Sequence, residues 1–448
     1  MQLSHMVSLG SAAFDDPNLV ASAGLVPVLA LAGRCGLHEA ASALTVPNPS
    51  PGLKVAAVVA GMVAGADSID DLDRLRHGGM GRLFTGIRAP STLGTFLRAF
   101  TFGHVRQLDK VAADLLANLA RHTPLLPDAD QVTWVDVDDT VKPTYGYAKQ
   151  GAGYGYTHIK GLNALVGVVS TPTSAPVIAA TRLRKGSTNS ARGAASFVAG
   201  TLATVKRCGA TGLVVARADS GFYTADVVAA IGRAGARFSL TARLNASVRA
   251  AIDTIEEQAW TPIHYPNAVW DEQAGGWVSD AEVAETGYTA FASRRPRRAV
   301  TARLIVRRVK LLPPAGTAQP ALVEGYRYHA VFTDSPLTML QAEACHRGHA
   351  VVEQVIADLK GGPLAHLPSG RFAANGAWLT CAAMAHNLTR ALGCLASTFH
   401  ATARPATIRD QLVNLPARLA QSARRIRLHL PSRWRWEHAW HAVTTALT

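Results

Sequence analysis

Paired cysteines, acidic residues and long apolar runs are all scarce in this chain, and each shortage removes a class of protein. The five cysteines, Cys35, Cys208, Cys345, Cys381 and Cys394, are scattered among 448 residues. They are odd in number and contain no C-x-x-C, which argues against a disulfide framework or a zinc ribbon. Buried free thiols in a reducing compartment are expected. The longest apolar stretches, residues 19–33 and 55–66, are interrupted by Pro27 or too short to span a bilayer. The opening "MQLSHMVSLGSAAFDDPN" lacks a basic n-region and meets Asp15 and Asp16 early, unlike a signal peptide. A cytoplasmic protein without a membrane partner is expected. Hydrolase, NTPase and zinc-protease chemistry lack their motifs too, since there is no G-x-S-x-G, no G-x-x-x-x-G-K-[ST] and no H-E-x-x-H.

Acid is the most informative shortage. With 31 Asp+Glu against 45 Lys+Arg, the formal net charge is +14. Such a surface attracts polyanions, most simply nucleic acid. Hydrophobic residues make up 48% of the chain, enough for a folded protein, and the length exceeds what one compact core usually organises.

Against that background, "VDVDDTV" at residues 135–141 concentrates three carboxylates in a strand-like run. Alternate strand residues share a face, so Asp136 and Asp138 point one way while Val135, Val137 and Asp139 point the other. Like charges at that spacing are costly unless a cation compensates them. Asp219 follows the apolar run "GLVVARA" and precedes a helix, at the edge of a sheet where open α/β proteins build sites. Capping that helix is the alternative role. In "CHRGHAVVEQVIADLKGG", helical spacing places His346, His349, Glu353 and Lys360 on one face, with Glu353 among apolar neighbours. Cys345, His346 and His349 lack the spacing of a zinc frame. Three carboxylates from two strands and a later helix suit hard divalent cations. Two such ions roughly 3.5–4 Å apart serve phosphoryl transfer.

Coarse periodicity sets these residues in order. The first 125 residues or so read as helical, including a capped helix in "ADSIDDLDRLRHGG". From residue 131, β-branched runs alternate with helices near 194–208 and 224–234. Residues 245–325 are rich in Pro, Gly and Trp, with strand-like "AVTARLIVRRVKLL". Long helices are expected over 337–360 and 375–395, followed by an arginine-rich tail.

The segments "DVDDTVKPTYG", "GYGYTHIKGLNAL", "ARADSGFY" and "VVEQVIADLKGG…NGAWLTCAAMAHNLTRAL" resemble the RNase H-like DDE transposases of bacterial insertion sequences, in the group with a β insertion before the catalytic Glu. The resemblance implies an α/β fold: an RNase H-like mixed-sheet core with a mostly β insertion, preceded by a helical domain. The implied division is 1–128, a helical DNA-binding domain; 129–244 and 326–398, the two parts of the core; 245–325, the insertion; and 399–448, a basic region for DNA or dimer contacts.

By the same resemblance, the catalytic, metal-binding acids fall on Asp138, Asp219 and Glu353, with Asp136 as the alternative to Asp138, holding two Mg²⁺ or Mn²⁺ ions. Lys360 matches the lysine after the Glu, and Tyr223 the aromatic after the second Asp. The family carries Tyr and Arg where this chain has His346 and His349, which implies phosphate contact through imidazole. Lys160, Arg184, Lys185 and Arg390 are expected along the DNA path. Trp260, Trp270 and Trp277 are candidates for stacking on a flipped base. The implied activity is cut-and-paste transposition on double-stranded DNA by a homodimer; the alternatives are an RNase H-like DNA nuclease without strand transfer and a catalytically inactive DNA-binding protein.

Overall fold

The computed structural model describes residues 12–145, 148–155, 158–271, 276–292, 298–310, 325–422 and 425–447. The side chains of Trp270 and Trp277 lie outside the described residues.

Apolar residues at helical spacing dominate the first part of the chain. After the short strand β1 (Leu19–Val20) come α1 (Leu25–Arg34), α2 (Leu37–Ser42), α3 (Pro51–Val63), α4 (Met80–Leu83), α5 (Pro90–Arg98) and α6 (Phe102–His122). Pro51 and Pro90 open their helices, where a missing N–H is tolerated. The α-helix expected in "ADSIDDLDRLRHGG" is instead a 3₁₀ helix, Asp70–Arg76. At its entry the Ser68 hydroxyl accepts the Asp71 N–H at 3.2 Å and donates to Asp71 Oδ2 at 2.8 Å. Three aspartates of weak helix propensity and the stop at Gly78 leave too little length for an α ladder.

The β-branched runs then take over as β2 (Val132–Pro143), β3 (Gly153–Tyr154), β4 (Lys160–Ser170) and β5 (Val177–Lys185). Helices now alternate with strands: α7 (Ala194–Arg207), β6 (Leu213–Ala218), α8 (Ala225–Arg233), β7 (Arg237–Thr241) and α9 (Ala246–Asp253). Four strands follow: β8 (Thr261–Asp271), β9 (Gly276–Ala290), β10 (Val300–Lys310) and β11 (Tyr326–Thr333). The chain closes with α10 (Met339–Arg347), α11 (Val351–Lys360), α12 (Phe372–Ala396), α13 (Thr398–Thr402), α14 (Pro405–Ile408), β12 (Ala417–Ser422), β13 (Arg425–His429) and α15 (Glu437–Leu447).

The fold is mixed α/β around a ten-stranded mixed sheet in the order β3-β4-β2-β6-β7-β11-β10-β9-β8, with β5 also paired to β4. β2, β6 and β7 are mutually parallel, and their neighbours run antiparallel. Strands β8–β10 extend this same sheet through β11.

Helix α12 is apolar nearly all round and accordingly buried. It packs against α3, α6, α15 and β5, tying the early helices to the sheet. One core runs from Val20 to Val443. An early and a late segment meet where β1 pairs with β12. No described helix is long and apolar enough to cross a membrane.

The single helix expected over 337–360 is broken. Thr338 caps α10 in a box with Gln341, and a 3₁₀ turn, Gly348–Ala350, separates α10 from α11.

Candidate active site

Strand register lays out the site. Asp136 on β2 lies opposite Arg217 on β6, which lies opposite Ser239 on β7. These three form one row across adjacent strands. The last paired positions are Val137 with Ala218 and Ala218 with Leu240. One step further places Asp138 beside Asp219 and Thr241, on strands about 4.8 Å apart. Because side chains alternate, this second row shares a face with the first.

The first row is electrically closed. Arg217 donates from Nε to Asp136 Oδ1 at 2.7 Å and from Nη2 to Asp136 Oδ2 at 2.6 Å. Its Nη1 donates to the Cys345 carbonyl at 2.6 Å, and the guanidinium lies 5.3 Å from the Trp134 ring centre. His349 Nδ1 stands 2.9 Å from Asp136 Oδ1. Asp136 is 0% exposed. Its expected role as a metal ligand is therefore corrected: both oxygens are committed to protein partners.

His346 is corrected as well. Its two ring nitrogens lie 2.9 Å from Ser239 Oγ and Thr241 Oγ1. Burial pushes its imidazole down to about 3, so it is neutral and held against the sheet. The 3₁₀ turn brings the His346 and His349 rings into a stack with centres 6.4 Å apart, both spent on the protein interior.

On the opposite face, Asp139 is matched in the same way. Arg184 Nη2 donates to Asp139 Oδ2, Asn163 Nδ2 donates to the same oxygen at 2.9 Å, and Arg184 Nε donates to Asn163 Oδ1 at 2.9 Å. Arg184 Nη1 also meets the carbonyls of Asn189, Ser190 and Arg192, each at 3.1 Å. Arg184 is buried, which removes it from the expected DNA path.

The second row is different. Among the described residues neither Asp138 nor Asp219 forms an ion pair. Asp138 Oδ1 accepts the Asp139 N–H at 2.7 Å. Asp219 Oδ1 accepts the Gly221 N–H at 2.9 Å, so it caps the turn Ser220–Phe222 while standing in the row. Burial, reinforced by the charge of Asp219, lifts the Asp138 carboxyl to about 6, against the opposing pull of His349. Asp219, at the exposed rim, is also raised by desolvation. Adjacent carboxylates disfavoured in their charged form are what a hard divalent cation relieves, and this pair fits one.

Glu353 is exposed on α11, which packs on β2 and β4. Among the described residues no three His, Cys, Asp or Glu side chains gather closely enough to hold a metal ion. The cage of three acids is not assembled in this arrangement. Lys142 was missed by sequence reasoning, although its parity on β2 is that of Asp138. Burial and the nearby charge of Lys360 both lower the Lys142 ammonium, so two lysines stand together beyond the acids.

The remaining expected contacts divide by exposure. Lys185 and Lys360 are exposed, and Lys160 is half-buried at the start of β4. Arg390 is buried in α12, donating to the carbonyls of Ala401 and Ala403, and does not line a DNA path. Tyr223 packs with its ring centre 4.9 Å from Phe291 and 5.9 Å from Phe332, an aromatic cluster in place of a DNA contact. Trp260 is covered by the Arg308 guanidinium at 4.3 Å and lies 6.2 Å from Tyr328. It fills a small core and is not free to stack on a base.

A family model described as "Transposase DDE domain group 1" matches residues 11–448. No curated protein matches the chain.

Proposed function

Because the chain belongs to the DDE transposase family of group 1, we propose that it cuts DNA at transposon ends and joins the freed 3′ ends to target DNA, with Asp138, Asp219 and Glu353 as its catalytic carboxylates. The observation that carries this reading is the row of Asp138 beside Asp219, without an ion pair among the described residues, two residues along the strands from a fully compensated row. Two Mg²⁺ or Mn²⁺ ions bound there would supply Lewis acidity for in-line attack on phosphate.

The chain's own residues do the rest. Asp138 and Asp219 fix the electrostatic centre on two rigid strands, and α11 carries Glu353 across β2. Lys360 and Lys142 supply positive charge on the same side for the DNA backbone, with Lys160 and Lys185 along its path. The parallel strands β2, β6 and β7, flanked by antiparallel neighbours, support the RNase H-like reading of the core. Base stacking is left to Trp270 or Trp277, at the β8–β9 hairpin. A homodimer holding two DNA ends fits the family reading.

One observation favours a second reading. Glu353 stands apart from the aspartates, and His346 and His349 are engaged with the sheet, as in a DNA-binding derivative that has lost cleavage. Incubating the protein with DNA flanking its own gene, with and without Mg²⁺, and mapping the nicks separates the two. Cation-dependent nicks at fixed positions are expected. Asp138→Ala, Asp219→Ala or Glu353→Ala should each lower cleavage about 1,000-fold, equivalent to about 4 kcal/mol, with DNA binding retained. Joining of pre-cut ends tests strand transfer, and wild-type binding without nicks would establish the inactive derivative.

A further inference from the structure

The row Asp136–Arg217–Ser239 does more than neutralise itself: each member also holds the segment that leads into α11. Asp136 holds His349, Arg217 holds the Cys345 carbonyl, and Ser239 holds His346. Three strands therefore grip the last turn of α10, at Cys345 and His346, and the turn after it, at His349, along one line of register.

Glu353 follows His349 by four residues, one helical turn and about 6 Å of rise. Asp138 follows Asp136 by two strand residues, about 6.6 Å. The two advances are of similar length. A junction fixed over the first row therefore constrains where Glu353, one turn on, can stand.

We infer that Arg217 is a positioning residue, and that the polar row Asp136–Arg217–Ser239 is a docking seam that sets where Glu353 stands relative to Asp138 and Asp219. The inference rests on the reading of those three acids as the cation ligands. Arg217 suits the task because a planar guanidinium can bind both Asp136 oxygens and still reach a carbonyl. It is 3% exposed, so these bonds have little competition from water. Gly348 keeps the seam closed, since a Cβ there would come within 2.8 Å of Arg217 Nη1. Its φ of −61° is ordinary helical backbone, so the requirement is for space alone.

The test uses the full chain without DNA and Mn²⁺ alone as the probe, with free Mn²⁺ counted by electron paramagnetic resonance. Wild type should bind Mn²⁺ in a manner lost on Asp138→Asn or Asp219→Asn. Arg217→Lys keeps the charge but loses the fork, and should raise the Mn²⁺ midpoint about tenfold, as loss of a group supporting a ligand does.

Gly348→Ala should do likewise by displacing the guanidinium. Helix propensity favours that change, so it remains informative if Arg217→Lys does not fold. Both effects should vanish in a Glu353→Gln background, a non-additivity that general loosening of the fold does not produce. Unshifted midpoints in folded variants, or shifts that add fully to that of Glu353→Gln, overturn the seam while leaving the cation reading intact. No Asp138- and Asp219-dependent Mn²⁺ binding in the wild type overturns both.

Discussion

Three carboxylates within four residues of β2 live in two kinds of surroundings. Asp136 and Asp139 lie on opposite faces of the sheet, each buried and each held by a buried arginine, Arg217 from the adjacent β6 and Arg184 from β5 beyond β4. Asp138, between them, accepts one backbone N–H and forms no ion pair among the described residues, with His349 and the Asp219 carboxylate acting on it from nearby. The difference teaches that an acid-rich strand is not by itself a cation site. What marks the site is the acid that the fold leaves unmatched, in a chain with positive charge to spare. The protein spends Arg184 and Arg217 inside and withholds a third arginine from the row where Asp138 meets Asp219.

The largest expected effect comes from breaking a matched pair. Arg184→Ala strands Asp139 and removes the bonds to Asn163 and the 189–192 loop, and should cost about 3–5 kcal/mol. Chemical denaturation at neutral pH measures it. A cost below about 1 kcal/mol would mean that Asp139 is not held by its arginine, and the contrast within β2 would fail.

The unmatched acid should respond in the opposite sense. Folding holds the Asp138 proton more tightly than the unfolded chain does, with the carboxyl lifted from its ordinary value near 4 to about 6. Stability therefore falls as the pH rises through that interval and stays lower above it. Asp138→Asn should be more stable than wild type by about 1–3 kcal/mol at pH 8 and no different below pH 4. Excess Mg²⁺ should restore wild type and leave the variant unmoved, because only a state that binds the ligand gains from it. Thermal unfolding at the two pH values, with and without the cation, checks both signs.

Much of the matched and unmatched acids' identity was legible in sequence. Parity put Asp136 and Asp138 on one face and Asp139 on the other, and the end of an apolar run placed Asp219 at a strand edge. Their partners were not legible. Asp136 meets Arg217 across 81 residues, and Asp139 meets Arg184 across 45; only strand register decides such encounters. Arg184 and Arg390 fit a DNA path in the sequence because basic side chains meet the phosphate backbone. The fold overrides that tendency with carbonyls and a carboxylate. The histidine stripe assumed an unbroken helix, and the 3₁₀ turn at Gly348 turned both rings inward.

Neighbouring positions on β5 give the finest version of the comparison. Arg184 and Lys185 are consecutive, so the strand points them to opposite faces. Arg184 is buried against Asp139, and Lys185 is exposed. If exposure decides which cations meet DNA, Lys185→Gln should leave unfolding unchanged and weaken duplex binding modestly. It should also reduce the slope of log affinity against log salt by about 0.9, one phosphate's worth of released counterion. Titrations at several salt concentrations resolve that slope. An unchanged slope would place the DNA path away from the outer end of β5, leaving Lys142 and Lys360 beside the acids as the cations to test next.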